Sequence, residues 1–354
     1  MAETLDSREF VLRSDPSGMF SLAEAFPSQC RDAFTLAEQV EPPETDRAYR
    51  NIVVCGMGGS AAGGDLLGAL LDEHGSIPLH TCRDYEVPNW VDESTLVFGC
   101  SYSGNTEETL SAVRQCLARG CDVLCITSGG ALADLARERR LPLVSIPGGQ
   151  PPRTALGYLF VPLASLAGKM GLLPAQDWEE LFTTLEGCRR DWGMESASRS
   201  NPAKRLAVRL YGKIPLLYGL GAWHSVVASR WKSQLNENSK CMAFANAFPE
   251  LNHNEIVGWT LSETQASDRW AVVILEDGQE SPRMQARARI TRDLVRGKAE
   301  TFTVTARGES LLTKMLSLVY LADFVSLYLA ALYGVDPYEI AAIDILKKSL
   351  AELD

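Results

Sequence analysis

At 354 residues the chain is long enough for two domains, and its 46% hydrophobic and 22% charged residues are typical of a globular protein. A formal net charge of −11 argues against a nucleic-acid-binding surface, because phosphate backbones select clustered Lys and Arg. The N-terminal residues carry no basic segment followed by an apolar one, and no uninterrupted apolar run reaches the ~18 residues of a membrane span, so we expect neither a secretory signal nor a membrane protein.

The cysteines and histidines indicate a reduced, metal-free protein. The nine cysteines are scattered without CxxC spacing, and several lie in apolar strands, where a free thiol behaves as a small hydrophobic group. The four histidines form no cluster with metal-ligand spacing. We therefore expect a cytoplasmic protein with free thiols, no metal and no cofactor.

The elements in chain order predict an α/β fold. Apolar residues recur roughly at helical spacing up to about residue 48, which predicts helices there, and Pro42-Pro43 breaks this segment. Short apolar runs then predict strands at Asn51–Cys55, Thr95–Cys100, Asp122–Ile126, Leu143–Ile146, Ile214–Tyr218, Trp270–Leu275 and Thr301–Thr305. Helical patterns lie between them, and two further helices are predicted at Leu311–Tyr333 and Ile340–Leu350. Continuous apolar strands that alternate with helices are typical of parallel sheets covered on both faces.

A strand, a Gly-x-Gly turn and a helix follow one another twice, at Gly56–Gly58 and at Gly219–Gly221. This repetition predicts two related domains, each an α-β-α sandwich with a parallel sheet. We place a helical segment that packs on the core at residues 1–48, the first domain at 49–175, a helical linker at 176–204 and the second domain with the C-terminal helices at 205–354.

The segment Ser101-Tyr102-Ser103-Gly104-Asn105-Thr106 lies between a predicted strand and a helix. Ligands of open parallel sheets bind beyond the carboxyl ends of the strands, and a helix N-terminus there offers unpaired N–H groups to an anion. The hydroxyls of Ser101, Ser103 and Thr106 add donors for phosphate oxygens. The alternative is a hydroxyl-rich helix cap without a ligand.

The glycine-rich segment Gly56–Gly64 ends the first strand of the same domain and allows a backbone to approach a ligand closely. A dinucleotide-binding turn is an alternative. Its strict G-x-G-x-x-G spacing fails because Ala61 stands at the third position, and the next strand has no clear ribose-binding acid at its end.

An ordered series of motifs resembles the bifunctional phosphoglucose/phosphomannose isomerases, a branch of the sugar-isomerase (SIS) fold family. The motifs are Gly58-Gly59-Ser60, Ser101–Thr106, Pro152-Arg153 with Gly157-Tyr158, Asn236-Glu237-Asn238-Ser239-Lys240 and Leu251-Asn252-His253-Asn254-Glu255. The resemblance covers the chain from about residue 50 to its end. It implies two SIS domains, a sugar-phosphate substrate, a role in glycolysis and gluconeogenesis, and a homodimer in which the histidine comes from the neighbouring subunit.

The resemblance also implies roles for individual residues. The sugar-phosphate-binding positions are Gly58, Gly59, Ser60, Ser101, Ser103 and Thr106. Arg153 corresponds to the arginine near the reacting carbons, and Glu237 to the base. His253 and Lys347 correspond to groups associated with ring opening.

These residue types suit isomerisation through a cis-enediol, in which one carboxylate moves a proton between C1 and C2. Glu237 could instead be a surface glutamate of a helix, but its apolar and amide surroundings favour the base. Arg153 would stabilise enediolate charge, unless it is a solvated loop arginine. His253 lies between two asparagines in a polar loop, and imidazole is a common acid–base group in enzymes. Lys347 is chosen over the adjacent Lys348 by its place after Ile345-Leu346.

Two positions limit the interpretation. His224 begins the second glycine-led helix, where a structural role is favoured over a ligand role. Family members that use mannose 6-phosphate often carry a threonine shortly before the C-terminal lysine, whereas residues 336–343 contain no Ser or Thr. We therefore expect interconversion of glucose 6-phosphate and fructose 6-phosphate, with mannose 6-phosphate a weaker substrate or none.

Two other functions remain open. A non-catalytic sugar-phosphate-binding regulator would use the same fold, although it would not need Arg153, Glu237 and His253 together. A dinucleotide-dependent oxidoreductase would need the acidic ribose partner that the sequence lacks.

Overall fold

The computed structural model describes residues 3–43, 45–350 and 352, apart from the side chains of Lys347 and Leu350. The chain forms two compact units, each built on its own parallel sheet. The first unit contains Ala25–Glu186 and Ala306–Ser317, and the second contains residues up to Glu24, Gly187–Thr305 and residues from Leu318 onward. Two short helices of the second unit, α1 (Arg8–Arg13) and α2 (Met19–Glu24), open the chain. The predicted domain boundaries at residues 48, 175 and 204 stay a prediction.

The first unit contains a five-stranded parallel sheet in the order β2-β1-β3-β4-β5. Its elements are α3 (Phe26–Glu38), β1 (Asn51–Cys55), α4 (Gly58–His74), β2 (Leu79–Cys82), β3 (Thr95–Cys100), α5 (Glu107–Ala118), β4 (Asp122–Thr127), α6 (Gly130–Arg139), β5 (Leu143–Ser145), α7 (Leu156–Lys169) and α8 (Trp178–Trp192), with a 3₁₀ turn at Pro152–Thr154. Every residue of β3 is buried, which explains why a continuous apolar run predicts it.

The second unit contains a four-stranded parallel sheet in the order β7-β6-β8-β9. Its further elements are α9 (Pro202–Leu210), β6 (Ile214–Gly219), α10 (Ala222–Ser239), β7 (Phe244–Ala247), α11 (Glu255–Gly258), β8 (Trp270–Glu276), α12 (Pro282–Val295), β9 (Glu300–Thr305), α13 (Leu311–Tyr333) and α14 (Ala341–Leu350). Helices α8 and α13 each contribute residues to both units. The α/β class with two parallel sheets is confirmed.

The sequence pattern missed β2 and β7. Both are four-residue strands at the edge of their sheet, and both are partly exposed. An edge strand has one neighbour and less helix cover, so it lacks the long apolar run that marks the central strands. The predicted N-terminal helices end at Glu38, before Pro42-Pro43.

Helix α13 is the one helix among the described residues that is long and apolar enough to cross a membrane. Its most apolar stretch is 94% buried within the protein. A helix that is hydrophobic on all sides and covered by protein is typical of a globular core.

Candidate functional site

The two sequence motifs of the first unit meet at one edge of its sheet. Strands β1 and β3 are parallel neighbours, with Asn51 opposite Thr95 and Cys55 opposite Gly99. The turns that follow them therefore lie side by side beyond the carboxyl ends of the strands, where parallel sheets bind ligands.

The turn after β3 is held by its own hydroxyls. The Ser101 and Thr106 hydroxyl oxygens lie 2.9 Å apart, and the Gly104 N–H donates to Ser101 Oγ at 3.1 Å. The Asn105 N–H donates to Ser103 Oγ at 3.3 Å. Ser101 is buried, and Ser103 is exposed in the turn that precedes α5. The turn thus presents a hydroxyl to solvent on a fixed backbone.

Contacts with the start of α6 fix the same turn. Gly104 has φ +73°, and a Cβ there would lie 1.7 Å from the carbonyl oxygen of Gly129, so only glycine fits. Asn105 Oδ1 accepts a hydrogen bond from the Ala131 N–H at 3.0 Å. These contacts hold the loop rigid at the N-terminus of α5.

The glycine turn after β1 approaches the segment that carries Arg153. Gly58, Gly59 and Ser60 form the first turn of α4. A Cβ on Gly59 would lie 2.9 Å from the Pro152 carbonyl oxygen, so the two backbones are in contact. Arg153 is 3% exposed in the 3₁₀ turn next to this contact. The structure therefore brings the predicted phosphate positions and the Arg153 segment to one edge of the first unit.

This edge is suited to an anion. Helices α4 and α5 both begin there, and the N-terminus of a helix carries unpaired N–H groups and the positive end of its dipole. A guanidinium in the adjacent segment adds a full positive charge that a protein cannot remove at neutral pH.

Glu237 lies near the end of α10 in the second unit, between anchored neighbours. Gln234 donates a hydrogen bond to the Asp323 carboxylate, and Asn238 Nδ2 donates to Ser326 Oγ at 3.0 Å. Glu237 itself is half-buried. Burial lowers the pKa of the Arg230 guanidinium, and the charges of Asp323 and Glu237 oppose that shift. The predicted base therefore lies on a rigid helix within the field of a buried arginine.

His253 ends a 3₁₀ turn at Glu250–His253 and is exposed. The neighbouring Asn252 anchors the turn, because its Nδ2 donates to Thr291 Oγ1 at 2.9 Å. The side chain of Lys347 lies outside the described part of the structure. Lys348, the alternative lysine on α14, is exposed.

Sequence reasoning missed Gln29 and the two carboxylates that lie beside His224. Gln29 in α3 hydrogen-bonds the backbone of Thr154 and Gly157, just after Arg153, and no local motif marks it. His224, Asp277 and Glu280 lie close enough together to share a metal ion. Histidine spacing could not reveal this group, because two of its members are carboxylates from a distant loop.

Comparison with known proteins identifies the family. The SIS domain model matches residues 47–146, and the model of the bacterial phospho-glucose isomerase C-terminal SIS domain matches residues 199–350. The chain is 41% identical to a bifunctional phosphoglucose/phosphomannose isomerase of Caldicellulosiruptor bescii over 338 residues, which cover 95% of this chain and 99% of the relative. It is 37% identical to the protein of the same name from Aquifex aeolicus, over 85% of this chain and 91% of the relative.

A solved structure shows the same fold. The crystal structure of a hypothetical protein from Thermus thermophilus superposes with a TM-score of 0.79 at 16% identity, covering 99% of this chain and 94% of that one. The α/β architecture with two SIS domains and the resemblance found in the sequence are both confirmed. The chain belongs to the family of bifunctional phosphoglucose/phosphomannose isomerases.

Proposed function

We propose that the protein is an aldose–ketose isomerase that interconverts fructose 6-phosphate with glucose 6-phosphate and with mannose 6-phosphate. The observation that carries the proposal is the contact between Gly59 and the Pro152–Thr154 segment, which joins an anion-binding edge to a buried arginine. The names of the two relatives, which are similar over most of the chain, support both activities.

The phosphate is bound by backbone N–H groups at the starts of α4 and α5 and by the Ser60 and Ser103 hydroxyls. Arg153 stabilises the negative charge that develops on the enediolate oxygens. Glu237 removes a proton from C2 of the aldose and returns it to C1 of the cis-enediol, and the reverse reaction uses the same steps. No electrons leave the sugar, so no redox partner is needed.

Opening of the pyranose ring requires an acid–base group, and we assign this step to His253 with Lys347. We also propose a homodimer in which His253 serves the neighbouring subunit. Two apolar residues that follow the histidine in the chain support a subunit contact, because Val257 is 67% exposed and Leu261 is 69% exposed.

We propose that the protein acts in the cytoplasm, in glycolysis and gluconeogenesis. The nine cysteines are thiols and eight of them are buried, which fits a reducing compartment. Measuring the stability of the protein before and after exposure to glutathione at the reducing ratio of a cell tests this. A disulfide-stabilised protein would lose stability on reduction, whereas this protein should keep it.

The test of the activity is conversion of fructose 6-phosphate by the purified protein in D₂O, without nicotinamide cofactor in the isomerase step. The expected products are glucose 6-phosphate and mannose 6-phosphate with deuterium at C2, because the enediol exchanges its proton with solvent. Product without any deuterium would indicate hydride transfer and would contradict the proposed base.

The same experiment separates the enzyme from a regulator that only binds sugar phosphates. Saturable binding of fructose 6-phosphate without turnover would favour the regulator. Turnover that disappears in the Glu237→Gln protein excludes it, because binding alone does not need a base.

A further inference from the structure

The sheet of the second unit has an edge that corresponds to the predicted phosphate-binding edge of the first unit. It carries acidic side chains and a histidine where the first unit carries hydroxyls. Strands β6 and β8 are parallel neighbours in the middle of their sheet, as β1 and β3 are in the first unit. The turn after β6 carries His224 at the start of α10, and the loop after β8 carries Asp277 and Glu280. The same place in the fold thus holds an imidazole and two carboxylates in place of hydroxyls.

The three side chains converge. One ligand atom of each of His224, Asp277 and Glu280 lies within 4.8 Å of the others. His224 Nε2 and Glu280 Oε1 are 3.4 Å apart, and the two side chains are 3% and 5% exposed. Ligands about 2.1 Å from a tetrahedral ion lie roughly 3.4 Å from each other, so the imidazole and this carboxylate group are close enough to share one ion.

One oxygen of Glu280 is available for an ion. Oε1 accepts a hydrogen bond from the Asp277 N–H at 2.7 Å. Oε2 is buried and has no hydrogen-bond partner among the residues that the structure describes. A buried carboxylate oxygen without a partner is costly, and coordination of a cation removes that cost.

The donor set selects the class of ion. Mg²⁺ and Ca²⁺ prefer oxygen ligands alone, whereas Zn²⁺, Mn²⁺ and related ions accept an imidazole nitrogen with carboxylate oxygens. Glu280 also lines a cavity of about 620 Å³, so an ion has a route to the site. We propose that His224, Asp277 and Glu280 form a binding site for one divalent transition-metal ion of the zinc class, with water completing its coordination.

The test uses the full-length protein after treatment with a chelator and dialysis. Zn²⁺ is titrated by calorimetry, and bound metal is measured by mass spectrometry. We expect one saturable ion per chain and a rise in Tm on zinc addition, because an ion that binds only the folded state stabilises it. Co²⁺ should give visible absorption bands of a site with nitrogen and oxygen ligands.

Two ligand variants and one control decide the outcome. Glu280→Gln and Asp277→Asn should each weaken zinc binding at least tenfold and remove the zinc-dependent rise in Tm. Because Asp277 is half-exposed, its variant remains informative if the variant of the buried Glu280 fails to fold. His74→Asn removes an exposed histidine and should bind zinc as the parent does.

The proposal is overturned if the parent protein binds no stoichiometric zinc, or if folded Asp277→Asn protein binds it unchanged. Loss of binding in His74→Asn would also overturn it, since the ion would then lie elsewhere. Isomerase activity is independent of these outcomes.

Discussion

Gln29 holds the backbone that follows Arg153 at two points. Its Oε1 accepts a hydrogen bond from the Gly157 N–H at 2.7 Å, and its Nε2 donates to the Thr154 carbonyl at 2.9 Å. Gln29 is 4% exposed, so water does not compete for these bonds. A single amide from α3 therefore fixes the turn from which the predicted catalytic guanidinium arises.

We expect Gln29→Ala to lower kcat about tenfold while KM for fructose 6-phosphate changes little, since the turn loosens but the phosphate contacts remain. Loss of two buried hydrogen bonds should also lower the free energy of unfolding by about 2 kcal/mol. Gln29→Glu keeps the acceptor for Gly157 and loses the donor to Thr154, so its kcat should lie between that of the parent and that of Gln29→Ala. Gln39→Ala, on the exposed end of the same helix, is the control. A fall in stability with unchanged kcat would show that Gln29 has no positioning role.

Ser103→Ala should raise KM for the sugar phosphate roughly tenfold or more, because a hydrogen bond to a charged group contributes about 1.5–3 kcal/mol. Its kcat should change less, since we propose that the hydroxyl binds the non-reacting end of the substrate. The affinity for inorganic phosphate, which competes with the sugar phosphate for the same site, measures this loss of binding without turnover. Ser111→Ala, on the following helix, should bind phosphate as the parent does, and equal affinity in both variants would place the phosphate elsewhere.

Glu237→Gln should retain substrate binding and lose about 10²–10⁴ in kcat, the usual contribution of a general base. Single-turnover rates and solvent deuterium exchange at C2 measure the chemical step directly. Glu263→Gln, at an exposed position of the second unit, provides a matched change of charge. Near-normal exchange in the Glu237 variant would assign the base to another residue.

Asp323 should make stability depend on pH. Burial raises the pKa of Asp323 to about 6, although the charge of Arg230 and the hydrogen bond from Gln234 oppose this shift. The folded state therefore holds this proton more tightly than the unfolded state, so the stabilisation is complete below the ordinary pKa and is lost as the pH rises through about 6. Each tenfold difference in proton affinity corresponds to about 1.4 kcal/mol, so the loss is on the order of 3 kcal/mol.

Urea unfolding between pH 4 and pH 7 measures this effect. In Asp323→Asn, the free energy of unfolding should lack this decrease with rising pH. This variant should nevertheless be less stable than the parent at pH 7, because the buried Arg230 loses a neighbouring negative charge. If the free energy of unfolding varied with pH in the same way in both proteins, Asp323 would not titrate in this range.

Mannose 6-phosphate should be isomerised with a lower kcat/KM than glucose 6-phosphate. The two sugars share one enediol, and choice between them depends on how C2 and C3 are oriented when the proton returns. Residues 336–343 contain no hydroxyl side chain of Ser or Thr to assist that choice. Initial rates on glucose, mannose and glucosamine 6-phosphates in one assay decide the order, and equal rates on the first two would make the missing hydroxyl irrelevant.

Much of the fold was predictable because central parallel strands are buried on both faces. The runs Thr95–Cys100 and Ile214–Tyr218 are continuous and apolar for this reason, and they correspond closely to β3 and β6. The turns after β1 and β3, at which we predict phosphate binding, were equally visible, since a turn and a helix start are local structures. The roles of Glu237, His253 and Lys347 rest on the family resemblance and stay predictions.

The sequence by itself determined the strand–turn–helix order, the positions of the two turns at which we predict phosphate binding, and the family, because each depends on neighbouring residues. Only the tertiary structure decided that Gln29 holds the Arg153 segment and that His224 meets Asp277 and Glu280. These contacts join residues that are distant in the chain, and they form when helices pack against sheets and loops close at the sheet edge. Packing of this kind depends on the shape of the whole unit, which no local pattern of residues records.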